Sequence, residues 1–131
     1  MVMLTADTNV WARALLNDDA AQARKARAAL AAARSADGVF VPLIVLAELS
    51  WVLRGQWEKE RVLDALEGTL QARGVVVESA ALARKALEAA RNGAAGFADQ
   101  LIAEISFEAG ANEIITFDKA FGRQSRVRRL S

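Results

Sequence analysis

Asp7, Glu48, Asp99 and Asp118 each lie inside or at the end of an apolar run, where a carboxylate without a counter-charge is costly. Such a group either takes up a proton or finds a cation, and a divalent metal supplies that charge. The chain contains no histidine, cysteine or tyrosine. That excludes imidazole general bases, serine–histidine triads, histidine-ligated metals, histidine-based metal-free ribonuclease chemistry, disulfides and thiolate zinc sites. What remains is carboxylate, hydroxyl, lysine and arginine chemistry. Four acids without metal would repel and raise one another's pKa values, so the set favours a hard, oxygen-ligated ion such as Mg²⁺ or Mn²⁺.

Taken singly, each acid also has a structural explanation. Asp7 suits the N-cap of the helix that follows it, Asp99 suits a first helical turn, and Asp118 has Lys119 beside it for an ion pair. Glu48 is harder to explain, because it stands mid-helix among Val45, Leu46, Ala47 and Leu49 with no lysine or arginine within a turn. Its structural alternatives are a distant arginine or a narrow exposed strip.

The elements that must position these acids follow from hydrophobic period and punctuation. Residues 1–6 are β-permissive and end at Asp7-Thr8-Asn9, which predicts strand, turn, helix. Trp11, Leu15 and Leu16 give that helix an apolar stripe, and Asn17-Asp18-Asp19 restarts an alanine-rich helix to about Arg34. Residues 39–41 read as a second strand, Pro42 as the first turn of a largely buried helix to Arg54, and residues 57–73 as an amphipathic helix stopped by Gly74. Residues 75–77 form a third strand, and Ser79 caps a helix to about Arg91. The Asn92-Gly93-Ala94-Ala95-Gly96 approach leads into a helix carrying Asp99. A fourth strand over residues 113–117 ends at Asp118, and residues 127–130 add a short fifth. Strands alternating with helices predict a parallel sheet covered on both faces, and ligands of such sheets collect beyond the C-terminal strand ends, where Asp7 and Asp118 fall.

The chain's 131 residues and 53% hydrophobic content suit one domain with a real core, spanning residues 1–131. No apolar stretch is long enough for a membrane span and no basic lead precedes the first apolar residues, so a soluble cytoplasmic protein is expected. Net charge is only +1, but cations gather at Arg24, Lys25, Arg27 and Arg34, and again at Lys119, Arg123, Arg126, Arg128 and Arg129. Either group could meet phosphate, though solvated faces are the commoner outcome.

Asp7-Thr8-Asn9 after the first strand, the isolated acid of Leu46-Ala47-Glu48-Leu49, Phe97-Ala98-Asp99, and Ile115-Thr116-Phe117-Asp118 together resemble the PIN domain, most closely its VapC toxin branch. The similarity covers nearly the whole chain in order and spacing. It implies an α/β fold, a three-layer α/β/α sandwich with a mostly parallel sheet of four to five strands. It also implies a Mg²⁺- or Mn²⁺-dependent endoribonuclease, held inactive by a cognate VapB-type antitoxin. A homodimer is expected. Carried over by motif, Asp7, Glu48, Asp99 and Asp118 are the acidic quartet, while Thr8, Asn9 and Thr116 orient ligands or metal-bound water. Asp7 and Asp99 are expected as direct ligands, Glu48 as ligand or water-orienting base, and Asp118 as ligand or outer-sphere group. Metal-activated water would leave a 5′-phosphate and a 3′-hydroxyl on cleaved RNA. Arg13, Lys119 and Arg123 lie close enough in sequence to the acids to contact single-stranded or loop RNA.

Three rivals are weaker. A phosphatase of the haloacid dehalogenase type needs a second acid two positions after the first, where Asn9 stands, and a receiver-like phosphoacceptor expects paired acids where Thr8 follows Asp7. A non-catalytic protein-binding module would use Trp51, Trp57 and the alanine-rich helices as its surface, although core packing is the commoner fate of such tryptophans.

Overall fold

A computed structural model describes residues 3–131; Met1 and Val2, the first residues of the expected opening strand, lie outside the described residues. The chain folds into two compact units, one ending at Ala80 and the other beginning at Ala81.

The first unit contains β1 (Leu4–Thr5), α1 (Thr8–Leu16), α2 (Ala20–Ser35), β2 (Val39–Val41), α3 (Leu43–Arg54), α4 (Lys59–Gln71) and β3 (Val75–Val77). Aspartates set the two helix starts. Asp7 accepts from the Val10 amide at 3.2 Å and Asp19 from the Gln22 amide at 3.0 Å, each satisfying an N–H that the helix cannot. Between them Asn17 takes a left-handed conformation, φ 56°, which ends α1 and lets the next aspartate begin α2.

The strands stack in the order β1-β2-β3, with every pairing parallel; Leu4 faces Val39, and Val39 faces Val75. Val39 and Val41 are completely buried, together with Leu46, Leu49, Leu53 and Leu66 of the helices. Gly74 is obligatory at the entry to β3. Its φ of +83° is strained for any side chain, and a Cβ there would sit 2.3 Å from the Arg34 carbonyl oxygen.

Pro42 cannot cap α3 with a side chain, and Glu78, far along the chain after β3, does so instead: its Oε1 accepts from the Leu43 amide at 2.9 Å. Replacing Glu78 with alanine is expected to lower stability by about 1 kcal/mol, the usual loss for an N-cap. A urea titration reads this as an earlier midpoint with an unchanged slope, and an unchanged midpoint would show that the cap contributes nothing.

The second unit holds all but the first residue of α5 (Ala80–Asn92), together with α6 (Phe97–Glu108), β4 (Ile114–Thr116), a short 3₁₀ helix (Phe121–Arg123) and β5 (Val127–Arg129). β4 and β5 pair in parallel, with Ile114 opposite Val127 and Thr116 opposite Arg129. Ala95, Ala103, Phe121 and Val127 form its apolar cluster, with Phe107 and Ile114 packed against it. Gly122 lets the 3₁₀ turn close onto β5, since a Cβ there would come within 2.6 Å of the Arg129 Cβ.

The architecture is α/β with parallel strands throughout, hydrogen-bonded as a group of three and a group of two. No helix among the described residues is long and apolar enough to cross a membrane.

Two expectations need correction. Helix α3 is buried through Leu43, Val45, Leu46, Leu49 and Leu53, but Ile44, Glu48, Trp51 and Val52 form an exposed face on it, so it is not largely buried. Core packing also fails for Trp51, which is 63% exposed. Its position two turns from Ile44 and one turn from Glu48 puts it on the exposed face they share. Trp57 is half-buried, with the Arg61 guanidinium 4.0 Å from its ring centroid.

Candidate functional site

Each unit brings two of the four acids into a defined local setting. In the first, Asp7 follows β1 after Ala6 and uses Oδ1 to cap α1, so its other carboxylate oxygen makes no contribution to the cap. Thr8, the first residue of α1, donates its hydroxyl to Glu48 Oε1 at 2.7 Å. That bond crosses from α1 to α3 and fixes the glutamate's rotamer beside the β1 strand end. Glu48 therefore lies on an exposed strip of α3 with a hydroxyl partner rather than an arginine. Asn9 is exposed one residue further on.

In the second unit, Asp99 occupies the third position of α6, and Asp118 follows β4. Asp118 is held at both ends. Its amide donates to Thr116 Oγ1 at 3.0 Å, and its Oδ1 accepts from the Phe121 amide at 2.7 Å, starting the 3₁₀ helix. The anticipated role for Thr116 beside Asp118 therefore takes the form of a backbone contact, and Asp118 engages the chain ahead of it.

Burial was the starting argument for these acids, and it holds for one of them. Asp7, Glu48 and Asp118 are exposed, whereas Asp99 is half-buried. Burial lifts the Asp99 carboxyl above its ordinary value, and the negative charge of Asp118 lifts it further. Acids at strand ends and on an exposed helix face reach solvent even when their neighbours in sequence are apolar.

Among the described residues no group of three or more acids, histidines or cysteines is placed to hold a metal ion. The donor chemistry of the four acids still fits a hard cation. Every donor is a carboxylate or hydroxyl oxygen, and the mutual repulsion of Asp99 and Asp118 is the electrostatic condition that a cation relieves.

The basic residues divide clearly. Arg13 is committed to Asp18, with both carboxylate oxygens 3.0 Å from one guanidinium nitrogen, and this hydrogen bond holds the Asp18 carboxyl below its usual range. Arg27 and Arg34 donate to the carbonyls of Ala14 and Arg73. Arg128 grips Glu113, and Arg126 lies over the Phe107 ring at 3.7 Å while donating to the carbonyls of Ala111 and Asn112. Much of the cationic tail thus braces β4 and β5, while Lys119 and Arg123 are exposed.

Grooves lie among the described residues of the first unit. One, of about 490 Å³, runs from Asn9 and Val10 past Arg13 to Gln22, Lys25, Ala26 and Ala29. Another, of about 500 Å³, is formed by α1, α2 and α4 and is lined largely by Trp11, Leu15, Leu30, Ala65 and Thr69, with Arg27 and Arg34 at its margin. Trp11 is buried, and its indole N–H has no hydrogen-bond partner among the described residues.

The PIN domain family matches residues 4–127, and the chain belongs to that family. PIN domains are typically nucleases. Among curated proteins and among solved structures, none matches the chain.

Glu78 is the residue that the sequence concealed. Nothing local marks it, because its partner lies 35 residues earlier, at the start of the helix that carries Glu48.

Proposed function

We propose that the chain is a Mg²⁺- or Mn²⁺-dependent endoribonuclease and the toxin of a type II toxin–antitoxin pair of the VapC kind, with Asp7, Glu48, Asp99 and Asp118 as its acidic quartet. The observation that carries the reading is the Asp99–Asp118 pair, a half-buried acid whose carboxyl is lifted by burial and then by its neighbour's charge. Family membership over residues 4–127 supports the nuclease class. A bound divalent ion would supply the charge that acidifies a water and offsets charge on phosphoryl oxygens.

The protein's own groups have separable tasks in this reading. Asp7 and Asp99 supply carboxylate oxygens to the ion. Glu48, its Oε1 tied to Thr8, presents Oε2 as ligand or as the base that orients the water. Asp118 contributes directly or through water, its orientation set by Thr116 and Phe121. The groove from Asn9 to Lys25 suits a length of single-stranded RNA, with its cations toward phosphate and its apolar floor toward sugar or base. Lys119 and Arg123 have exposed charge for the same task, and Arg13 would have to leave Asp18 to join them.

A cognate VapB-type antitoxin would occupy the α1–α2–α4 groove, where Leu15, Leu30 and Ala65 offer apolar surface and Arg27 and Arg34 offer charge. A homodimer in the cytoplasm belongs to the same proposal, with the exposed α3 face around Ile44 and Trp51 as a self-complementary surface. That face also favours the second reading, a non-catalytic protein-binding module.

The two readings part on turnover. Partner-free protein incubated with total cellular RNA is expected to cut at discrete sites with Mg²⁺ or Mn²⁺ and to stop with chelator, leaving 5′-phosphates at the new ends. Intact RNA in every condition, or cuts that survive chelation and leave 2′,3′-cyclic phosphates, would reject the metal-nuclease reading.

A further inference from the structure

Gln100 is 2% exposed, the most deeply buried polar side chain of α6, and it directly follows Asp99. An amide at such a position costs free energy unless its hydrogen bonds are met, and an apolar residue would fill the same space more cheaply. Its Nε2 donates to Gln124 Oε1. Gln124 ends the 3₁₀ helix: its amide donates to the Phe121 carbonyl at 3.1 Å, and its carbonyl accepts from the Val127 amide at 3.2 Å.

The other end of that turn is Asp118. Its Oδ1 holds the Phe121 amide and its carbonyl accepts from Gly122 at 3.0 Å, so Asp118 and Gln124 terminate one short hydrogen-bonded turn. Phe121 anchors the middle of the turn in the apolar cluster. The helix that carries Asp99 therefore grips, through the next residue, the far end of the turn that begins with Asp118. The two carboxylates repel, which favours drawing the turn away from α6, and the neutral amide pair opposes that movement without adding charge.

We propose that Gln100 is a positioning residue for Asp118, acting through the amide–amide bond to Gln124 to keep the Asp118 carboxylate in the field of Asp99. The inference rests on the metal-nuclease reading for its consequence, a stronger hold on a divalent ion. The placement itself is a property of the metal-free chain, and the two can fail separately.

The test compares Gln124→Met, close in shape but unable to accept the bond in the same way, with Gln124→Glu, which keeps an acceptor oxygen. Three readouts are taken on each full-length protein: thermal midpoint, Mn²⁺ affinity by electron paramagnetic resonance, and hydrogen exchange at the Phe121 amide. Gln124→Met is expected to stay folded, bind Mn²⁺ about tenfold more weakly, as loss of an outer-shell partner does, and exchange faster at Phe121. Gln124→Glu is expected to bind Mn²⁺ at least as tightly as the parent protein and to keep the slow amide.

Unchanged affinity and exchange in Gln124→Met would overturn the proposal, as would equal damage in both variants, which would assign Gln124 to packing alone. A parent protein that binds no Mn²⁺, with Phe121 exchange still faster in Gln124→Met, would overturn the metal reading and leave the tether standing. Should Gln124→Met fail to fold, Gln124→Asn, with the same amide one methylene short, gives the same comparison.

Discussion

Replacing Asp99 with asparagine is expected to lower RNA cleavage by at least about 10²–10³-fold, on the scale of removing one well-placed electrostatic group, while making the metal-free protein more stable. Both effects have one cause. Burial and the Asp118 charge raise the Asp99 carboxyl in the folded chain, so the ionised carboxylate costs the native state stability at neutral pH. Asparagine keeps the shape and discards the charge.

The sign of the pH dependence follows. A carboxyl that binds its proton more tightly when folded contributes stability that is complete below its ordinary value of 3.8 and is lost as pH rises through the elevated folded value. The advantage of the asparagine variant should therefore be largest at neutral pH and should close as the solution is acidified toward 3.8. Urea midpoints of the two proteins across that range make the measurement. A variant less stable than the parent at pH 7 would show that Asp99 is held by favourable contacts instead.

At Asp7 the expected results split by substitution. Asp7→Ala removes both the α1 cap and the carboxylate, costing about 1 kcal/mol of stability along with activity. Asp7→Asn keeps an oxygen for the Val10 amide, and asparagine caps helices as well as aspartate does, so stability should hold while cleavage falls about 10²-fold or more. Equal, near-wild-type activity in both variants would reduce Asp7 to a cap. Activity lost only in proportion to stability would mean the same. The pair of variants thus separates two roles that one carboxylate fills at once.

Much of this was legible in the chain itself. Among the described residues every strand and α-helix stands close to where hydrophobic period and Gly, Pro, Asp and Asn punctuation put it, because those signals are local, whereas the 3₁₀ turn at Phe121–Arg123 carried no such signal. The acid positions were legible for the same reason: Asp7 and Asp118 follow short apolar strands, and Asp99 opens a helix. Other features depend on groups far apart in sequence. Glu78 caps α3 from the end of β3, Thr8 reaches Glu48 across 40 positions, and Gln100 meets Gln124 across 24. No local pattern encodes such meetings. Sequence neighbours do not set the exposure of a helix face: the run of apolar residues around Glu48 wraps the whole of α3, and only half of it turns inward. The basic tail was read as charge available to phosphate, whereas Arg126 and Arg128 are occupied with Phe107, two backbone carbonyls and Glu113.

The most direct test of the central claim is a Mn²⁺ titration, followed by electron paramagnetic resonance, of the parent protein beside Asp7→Asn and Asp99→Asn. It needs no knowledge of the RNA target. Saturable binding by the parent that weakens at least about tenfold in each variant, both of them folded, is the predicted result. Binding left unchanged by either substitution, or no binding by the parent at all, would contradict the assignment of these acids to a metal-dependent nuclease site.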